Sequence, residues 1–187
     1  SPDGGLYLTY TTPVRLDLAA CGLLPLAAAA ITADSIAELT GVDAALKWPN
    51  DIIAGGKKLG GVLCEARTDF STVQSVSVGV GVNANAKVRV QDAISAQELT
   101  GRSVRRSELA EKITLRLQHL LRTGDIAGEQ ARIRSRIMTL GRRVRVTTTD
   151  GTERTGTAAD ITSEGFLILK QGRKQHIIRS GGLRHLD

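Results

Sequence analysis

Aromatic residues are scarce in this 187-residue chain: 3% of the total, as two tyrosines, two phenylalanines and one tryptophan. The core must therefore be built mostly from Ala, Val, Leu and Ile within a hydrophobic content of 41%. The same scarcity argues against stacking nucleic-acid bases on aromatic platforms. Cysteine is nearly absent too. Cys21 and Cys64 are the whole complement, and their spacing fits neither a C-x-x-C redox motif nor a metal site. Two reduced, buried thiols are the expectation. His119, His176 and His185 likewise show no metal-ligand spacing. No apolar run reaches the roughly 18 residues of a membrane span, and no charged leader precedes an apolar stretch as in a signal peptide. The reading is a cytoplasmic protein without a membrane partner. An initiating methionine is missing as well: the chain opens on Ser1-Pro2 and moves at once into a predicted strand, so a polypeptide extending upstream is expected.

What is present is enough chain for one mid-sized domain, or one domain with a small appendage, and for a real core. Lys and Arg number 25 against 19 Asp and Glu, a net +6 that favours polyanions or acidic partners without naming one.

Residues 6–12 are rich in β-favouring types and read as a strand stopped by Pro13. A helix is predicted over 23–39 from Leu24, Ala27, Ala28, Ile31 and Leu39, with Gly41 as its terminator. Residues 44–48 form a short strand with Ala44, Leu46 and Trp48 on one face and Ala45 and Lys47 on the other. A turn at Pro49-Asn50-Asp51 leads into extended chain over 52–54, and Gly55-Gly56 reverses it into a strand over 58–66. In the strand predicted over 73–83, Val76, Val78, Val80 and Val82 share one face, which requires burial under helices. Ser75, Ser77, Gly79, Gly81 and Asn83 share the opposite face. A sheet with one apolar face and one stripped of bulk lets a ligand lie flat on it.

A further helix is predicted from a Ser107 cap to about Leu121, with Leu109, Ile113, Leu117, Leu120 and Leu121 as its buried stripe, and another over 125–137. After Gly141 the pattern changes to short strands over 144–148, 155–161, 166–169 and 176–178, punctuated by glycine turns, which suggests a small barrel. The expected class is α+β: a mixed sheet with helices on one face over residues 1–139, then the small barrel over 140–187.

Two glycine strings invite over-reading. Gly79-Val80-Gly81-Val82-Asn83-Ala84 fits G-x-G-x-x-A, but the glycines lie inside a strand rather than between a strand and a helix, so the dinucleotide-binding context is absent. Gly55-Gly56-Lys57-Lys58 lacks the spacing and the terminal Ser or Thr of a phosphate-binding Walker loop. Asp51 and Glu65 form a candidate carboxylate pair, although securing the turn after Asn50 is the simpler role for Asp51. Lys47 stands apart. A strand lysine is ordinarily a solvated surface charge. This one sits beside a glycine-bearing strand and a polar-faced strand, where a fixed ammonium would neutralise a carboxylate or a transferring phosphoryl group.

The string Lys47-Trp48-Pro49-Asn50-Asp51, followed by Lys57-Lys58-Leu59-Gly60-Gly61-Val62-Leu63, closely resembles the central motif of biotin protein ligases. Ser1-Pro2 with Gly5-Leu6-Tyr7-Leu8 resembles the family segment before it, Gly79-Val80-Gly81-Val82-Asn83 the one after it, and the tail from Leu140 the family's small SH3-like C-terminal domain. The resemblance implies a class II synthetase-like sheet. It also implies an enzyme that makes biotinyl-adenylate from biotin and ATP, with Mg²⁺ screening the phosphates, and passes biotin to a lysine of a carrier domain. On this resemblance Lys47 is the catalytic residue, contacting the biotin carboxyl and the adenylate phosphate. Gly60, Gly61, Gly79 and Gly81 keep the floor of the biotin and adenylate site low, and Asn83 recognises the adenine. Tight backbone packing is an equal explanation for the glycines. The family's glycine- and arginine-rich loop has no counterpart in these 187 residues.

Other readings lead elsewhere. A degenerate relative would hold biotin or its adenylate as a sensor without transferring it. A nucleic-acid-binding module is suggested by the net charge and by Arg142-Arg143-Val144-Arg145, although such clusters are more often a solvated rim. Lipoate ligases share the fold but not the Lys-Trp-Pro-Asn-Asp string, which ranks lipoate below biotin as substrate. Pairing through a sheet edge as a homodimer stays open.

Overall fold

The structure, a computed structural model, describes residues 3–70 and 72–186. Ser1 and Pro2, which begin the first resembling segment, lie outside them. Two five-stranded sheets organise the chain. The first has the order β1-β5-β4-β3-β2, with β1 at Leu6–Asp17, β2 at Ala45–Lys47, β3 at Asp51–Ala54, β4 at Lys57–Asp69 and β5 at Thr72–Val82. Every strand pair in it is antiparallel, which corrects the expected mixed sheet. The reason is local: β2 to β5 follow one another through short turns, and such turns reverse the chain. Parallel pairing occurs only as isolated bridges among the described residues, Leu46 to Ile137 and Lys58 to Ala93.

Pro13 does not end β1, as expected from sequence. The strand runs on to Asp17 across an irregularity in register between Pro13 and Leu16. Since β1 is at the edge of the sheet, a missing N–H there removes no interior ladder bond.

One face of this sheet is the core. Val76, Val78, Val80 and Val82 are at most 3% exposed. Helices α2 (Leu24–Thr40), α4 (Arg106–Thr123) and α5 (Gln130–Arg136) pack against the sheet. In α2, Ala27, Ala28, Ala29 and Ala30 are wholly buried, because methyl side chains let a helix axis come close to a sheet. The helix stops at Gly41, which takes φ +75° and returns its N–H to the Ala37 carbonyl at 2.8 Å.

Three helix expectations are adjusted. The stripe of α4 is buried as read, but the helix begins at Arg106 after Arg105, without a side-chain cap, so Ser107 lies in its first turn and caps nothing. The segment over 125–137 is a 3₁₀ turn at Ala127–Glu129 followed by α5, because Asp125 Oδ1 accepts the Gly128 N–H at 3.0 Å and tightens the entry. Besides a single turn α1 at Leu18–Cys21, the short helix α3 at Ala96–Thr100 went unread. Its signal was in the sequence: Ser95 and Glu98 form a reciprocal capping box, with bonds of 2.8 and 3.2 Å.

The second sheet has the order β10-β6-β7-β8-β9, from β6 (Arg143–Thr147), β7 (Glu153–Ile161), β8 (Leu167–Gln171), β9 (Lys174–Ile178) and β10 (Gly182–His185). Val144, Val146, Ala158, Leu167 and Leu169 are wholly buried beneath it. Among the described residues no strand pair joins β9 to β10, so this is an open sheet where a barrel was expected. No helix of the described residues is long and apolar enough to cross a membrane.

Candidate functional site

Register assigns each predicted site residue within the strands to a face. Tyr7 pairs with Gly81, Gly81 with Gly61, Gly61 with Asp51, and Asp51 with Lys47. These residues make one row across all five strands on the face away from the helices. The parallel row through Leu6, Val82, Gly60, Ile52 and Leu46 is buried throughout, and points to the helices. Gly60 therefore belongs to the core side. A Cβ there would lie 2.5 Å from the Gly81 carbonyl oxygen, so its glycine serves close strand packing and not the ligand floor.

On the other face lies an open groove of about 450 Å³. Gly61, Gly79 and Gly81 form its floor, Leu63 and Thr9 extend it, and Tyr7, Asn50, Asp51 and Lys58 wall it. The Tyr7 ring lies along Gly81, where an added Cβ would sit 3.5 Å from it. Asn50 is clamped to β4: its Nδ2 donates to the Val62 carbonyl at 2.7 Å, and its own carbonyl accepts the Val62 N–H at 3.0 Å. That clamp fixes the turn that delivers Asp51.

Asp51 is paired with the Lys58 ammonium and lies over Gly61. Lys58 was not among the residues singled out for the site, and strict alternation would have placed Lys57 there instead. The register shifts between Ile52 and Ile53, which pair with Gly60 and Lys58, so Leu59 is an extra residue in β4. Both Leu59 and Gly60 are buried as a result, and Lys58 moves to the face of Gly61. Its side chain is 51% exposed, so the pair is reachable by a ligand and adds little to stability.

Lys47 lies at the far end of the same row and does not line the groove. Asn83 does not line it either. Its Nδ2 donates to the Ile94 carbonyl at 3.2 Å and the Lys58 carbonyl at 3.4 Å, and its own carbonyl accepts the Ala96 N–H at 2.9 Å. These bonds tie the end of β5 to the loop before α3. The structure thus brings Gly61, Gly79 and Gly81 together in the groove, and adds Asp51, Lys58 and Tyr7 to them.

The cysteines are poor nucleophiles. Burial, with a smaller contribution from nearby Cys21, pushes the Cys64 thiol up to about 12, and burial raises Cys21 as well. Among the described residues no cluster of three or more His, Cys, Asp or Glu is arranged to hold a metal ion. The groove itself offers Asp51, already paired with Lys58. An apolar-backed, glycine-floored groove with a cation at its wall suits a flat organic acid and a phosphate.

Comparison with known proteins agrees in both halves. The biotin/lipoate A/B protein ligase family model matches residues 1–83, and that of the biotin protein ligase C terminal domain matches residues 139–182. The biotin--[acetyl-CoA-carboxylase] ligase of Mycobacterium tuberculosis is 36% identical over 178 residues, covering 92% of this chain and 66% of that protein. The chain therefore spans just under two thirds of that relative's length. Among solved structures, the biotin protein ligase of Aquifex aeolicus superposes with a TM-score of 0.82 at 26% identity, over 97% of this chain and 82% of that one. The Aquifex enzyme in complex with biotin and ATP gives 0.78 at 25% identity, over 97% and 79%. With one family model on the first sheet, another on the second, and a ligase aligned along nearly the whole chain, this protein belongs to the biotin protein ligase family.

Proposed function

We propose that the chain carries the catalytic groove of an ATP-dependent biotin protein ligase, with residues 1–139 as the catalytic part and 140–187 as its C-terminal domain. The single observation behind this reading is the groove itself: a glycine floor with the Asp51–Lys58 pair at its wall, in a chain of this family. Biotin and ATP, both bound in the Aquifex complex, are taken as the substrates, with Mg²⁺ accompanying the nucleotide.

In the first step a biotin carboxylate oxygen forms a bond to the α-phosphorus of ATP and the bond to the β-phosphate oxygen breaks, releasing pyrophosphate. In the second, the ε-amine of a carrier lysine attacks the acyl carbon. The acyl–phosphate bond breaks, AMP leaves, and the amine loses a proton. Negative charge gathers on the phosphoryl oxygens in the first step and on the departing AMP in the second. Lys58 neutralises that charge, with Asp51 holding the ammonium in place until substrate arrives. Lys47, at the end of the row, is assigned the same sign of help from further away. Gly61, Gly79 and Gly81 let the planar parts of the ligand lie against backbone. No enzyme nucleophile takes part, in keeping with the raised thiols. The acceptor is assigned as a carrier domain, in keeping with the acetyl-CoA carboxylase in the name of the mycobacterial ligase.

The test is to incubate the protein with biotin, ATP, Mg²⁺ and an isolated carrier domain and to follow a mass gain of the acceptor. Transfer abolished by Lys58→Ala supports the reading. Tight binding of biotin or its adenylate with no transfer would overturn it in favour of a sensor.

A further inference from the structure

The two sheets touch at the tryptophan of the Lys-Trp-Pro-Asn-Asp string. Trp48, 2% exposed, donates its indole Nε1–H to the Gly165 carbonyl at 3.0 Å, a buried bond spanning 117 residues of sequence. Its backbone N–H donates to Thr139 Oγ1 at 3.0 Å, and Thr139 is itself wholly buried. The turn carrying Gly165 is pressed against the start of α2. A Cβ on Gly165 would lie 2.9 Å from the Gly22 carbonyl oxygen, and one on Gly22 would lie 2.4 Å from the Glu164 carbonyl oxygen. Gly165 also takes φ +83°, so the contact requires glycine twice over.

The residues that follow Trp48 are Pro49, Asn50 and Asp51, the turn that is clamped to Val62 and pairs with Lys58. A cleft of about 240 Å³ between the sheets shares Asn50, Val62 and Leu63 with the groove. The second sheet therefore holds one end of a short rigid path whose other end is the groove wall. Rigid packing transmits displacement over such distances.

We propose that Trp48 is a positioning residue through which the C-terminal sheet sets the Pro49–Asn50–Asp51 turn, and with it the Asp51–Lys58 pair, in register with the groove. The inference rests on the ligase reading for its kinetic consequence, while its structural half stands without it. It gives the second sheet a task in catalysis without contact with substrate.

Amide hydrogen exchange read by mass spectrometry tests the structural half in the 187-residue chain. Trp48→Phe removes the indole N–H and keeps an aromatic ring; Gly165→Ala reaches the contact from the other sheet. Both are expected to speed exchange in peptides covering 49–63 by about tenfold or more, the scale of one lost buried hydrogen bond, with Val78 and Val80 of β5 unchanged. Turnover tests the rest: Trp48→Phe should raise KM for biotin about tenfold with a smaller change in kcat, and its effect should shrink in a Lys58→Ala background, as for residues on one path. Exchange rising evenly through the chain, or only around 162–166, would overturn the proposal. So would kinetic losses that multiply independently with those of Lys58→Ala. A wild-type protein without turnover would defeat the ligase reading, and the exchange result would still decide the role of Trp48.

Discussion

Gly60 and Gly61 are neighbours in the chain and stand on opposite faces of the same sheet, Gly60 in the buried row between Val82 and Ile52 and Gly61 in the groove row between Gly81 and Asp51. A methyl group at Gly60 meets backbone oxygen at 2.5 Å, a clash that no side-chain rotation relieves. Gly60→Ala is expected to lose about 1–3 kcal/mol of stability, seen as a lower melting temperature.

Gly79 offers the contrast. The nearest atom to an added Cβ is the Leu63 carbonyl oxygen at 3.6 Å, an ordinary contact. Gly79→Val should keep the melting temperature within a few degrees while raising KM for biotin or ATP at least tenfold, since it fills the floor of the groove. Equal loss of stability in the Gly60 and Gly79 variants would show that the two faces are not distinguished as described.

Lys58 and Lys47 should separate kinetically. Lys58→Ala is expected to lower kcat/KM for adenylate formation by about 10²–10³, the range for removing one preorganised donor at a developing charge. Lys47→Ala, at the row's end, should cost less than about tenfold. Lys58→Ala should leave stability within about 0.5 kcal/mol, as for an exposed substitution. Pyrophosphate exchange measures the first quantity, and a larger loss in Lys47→Ala than in Lys58→Ala would reverse the assignment.

Cys64 should resist alkylation. A thiol titrating at about 12 is thiolate in about one molecule in 10⁴ at pH 8, so iodoacetamide should leave Cys64 unmodified in the native chain and label it after unfolding. Rapid labelling of native Cys64, a half-buried residue, would contradict the raised thiol.

Glu98 supplies a pH dependence. Its carboxylate accepts the Ser95 N–H first and the Ser95 hydroxyl second, and both hold it below the ordinary 4.5. A depressed carboxyl stabilises the fold fully above its unfolded value and loses that contribution as pH falls through the folded one. The N-terminal turn of α3 should therefore loosen only below about pH 4.5, which NMR titration of the Ser95 amide would report. Glu98→Gln keeps the box and should remove the titration.

Much of the first sheet was legible because its signals are local. The alternation of Val76, Val78, Val80 and Val82 gave both faces of β5, and the stripe of α4 gave its buried side residue by residue. The groove wall was not legible, for a specific reason. Leu59 is an extra residue in β4, and a bulge changes the face of everything before it while leaving the sequence pattern unmarked. Lys58 therefore reached the groove where alternation favoured Lys57. Gly60 is a different case, because plain alternation already sets it on the face opposite Gly61. The tie between Trp48 and Gly165 depends on a contact across 117 residues, which periodicity cannot register. The short strands after Gly141 were visible, but whether a row of hairpins closes depends on the twist of the whole set.

Three of the four strands that line the groove, β3 to β5, come from the uninterrupted stretch 51–82, with β1 as the one remote contributor. The groove is thus inherited nearly as a cassette. A chimera that exchanges 45–82 between relatives carries its register, its bulge and its lysine together, whereas a crossover inside β4 would pair the bulge of one parent with the turn of another.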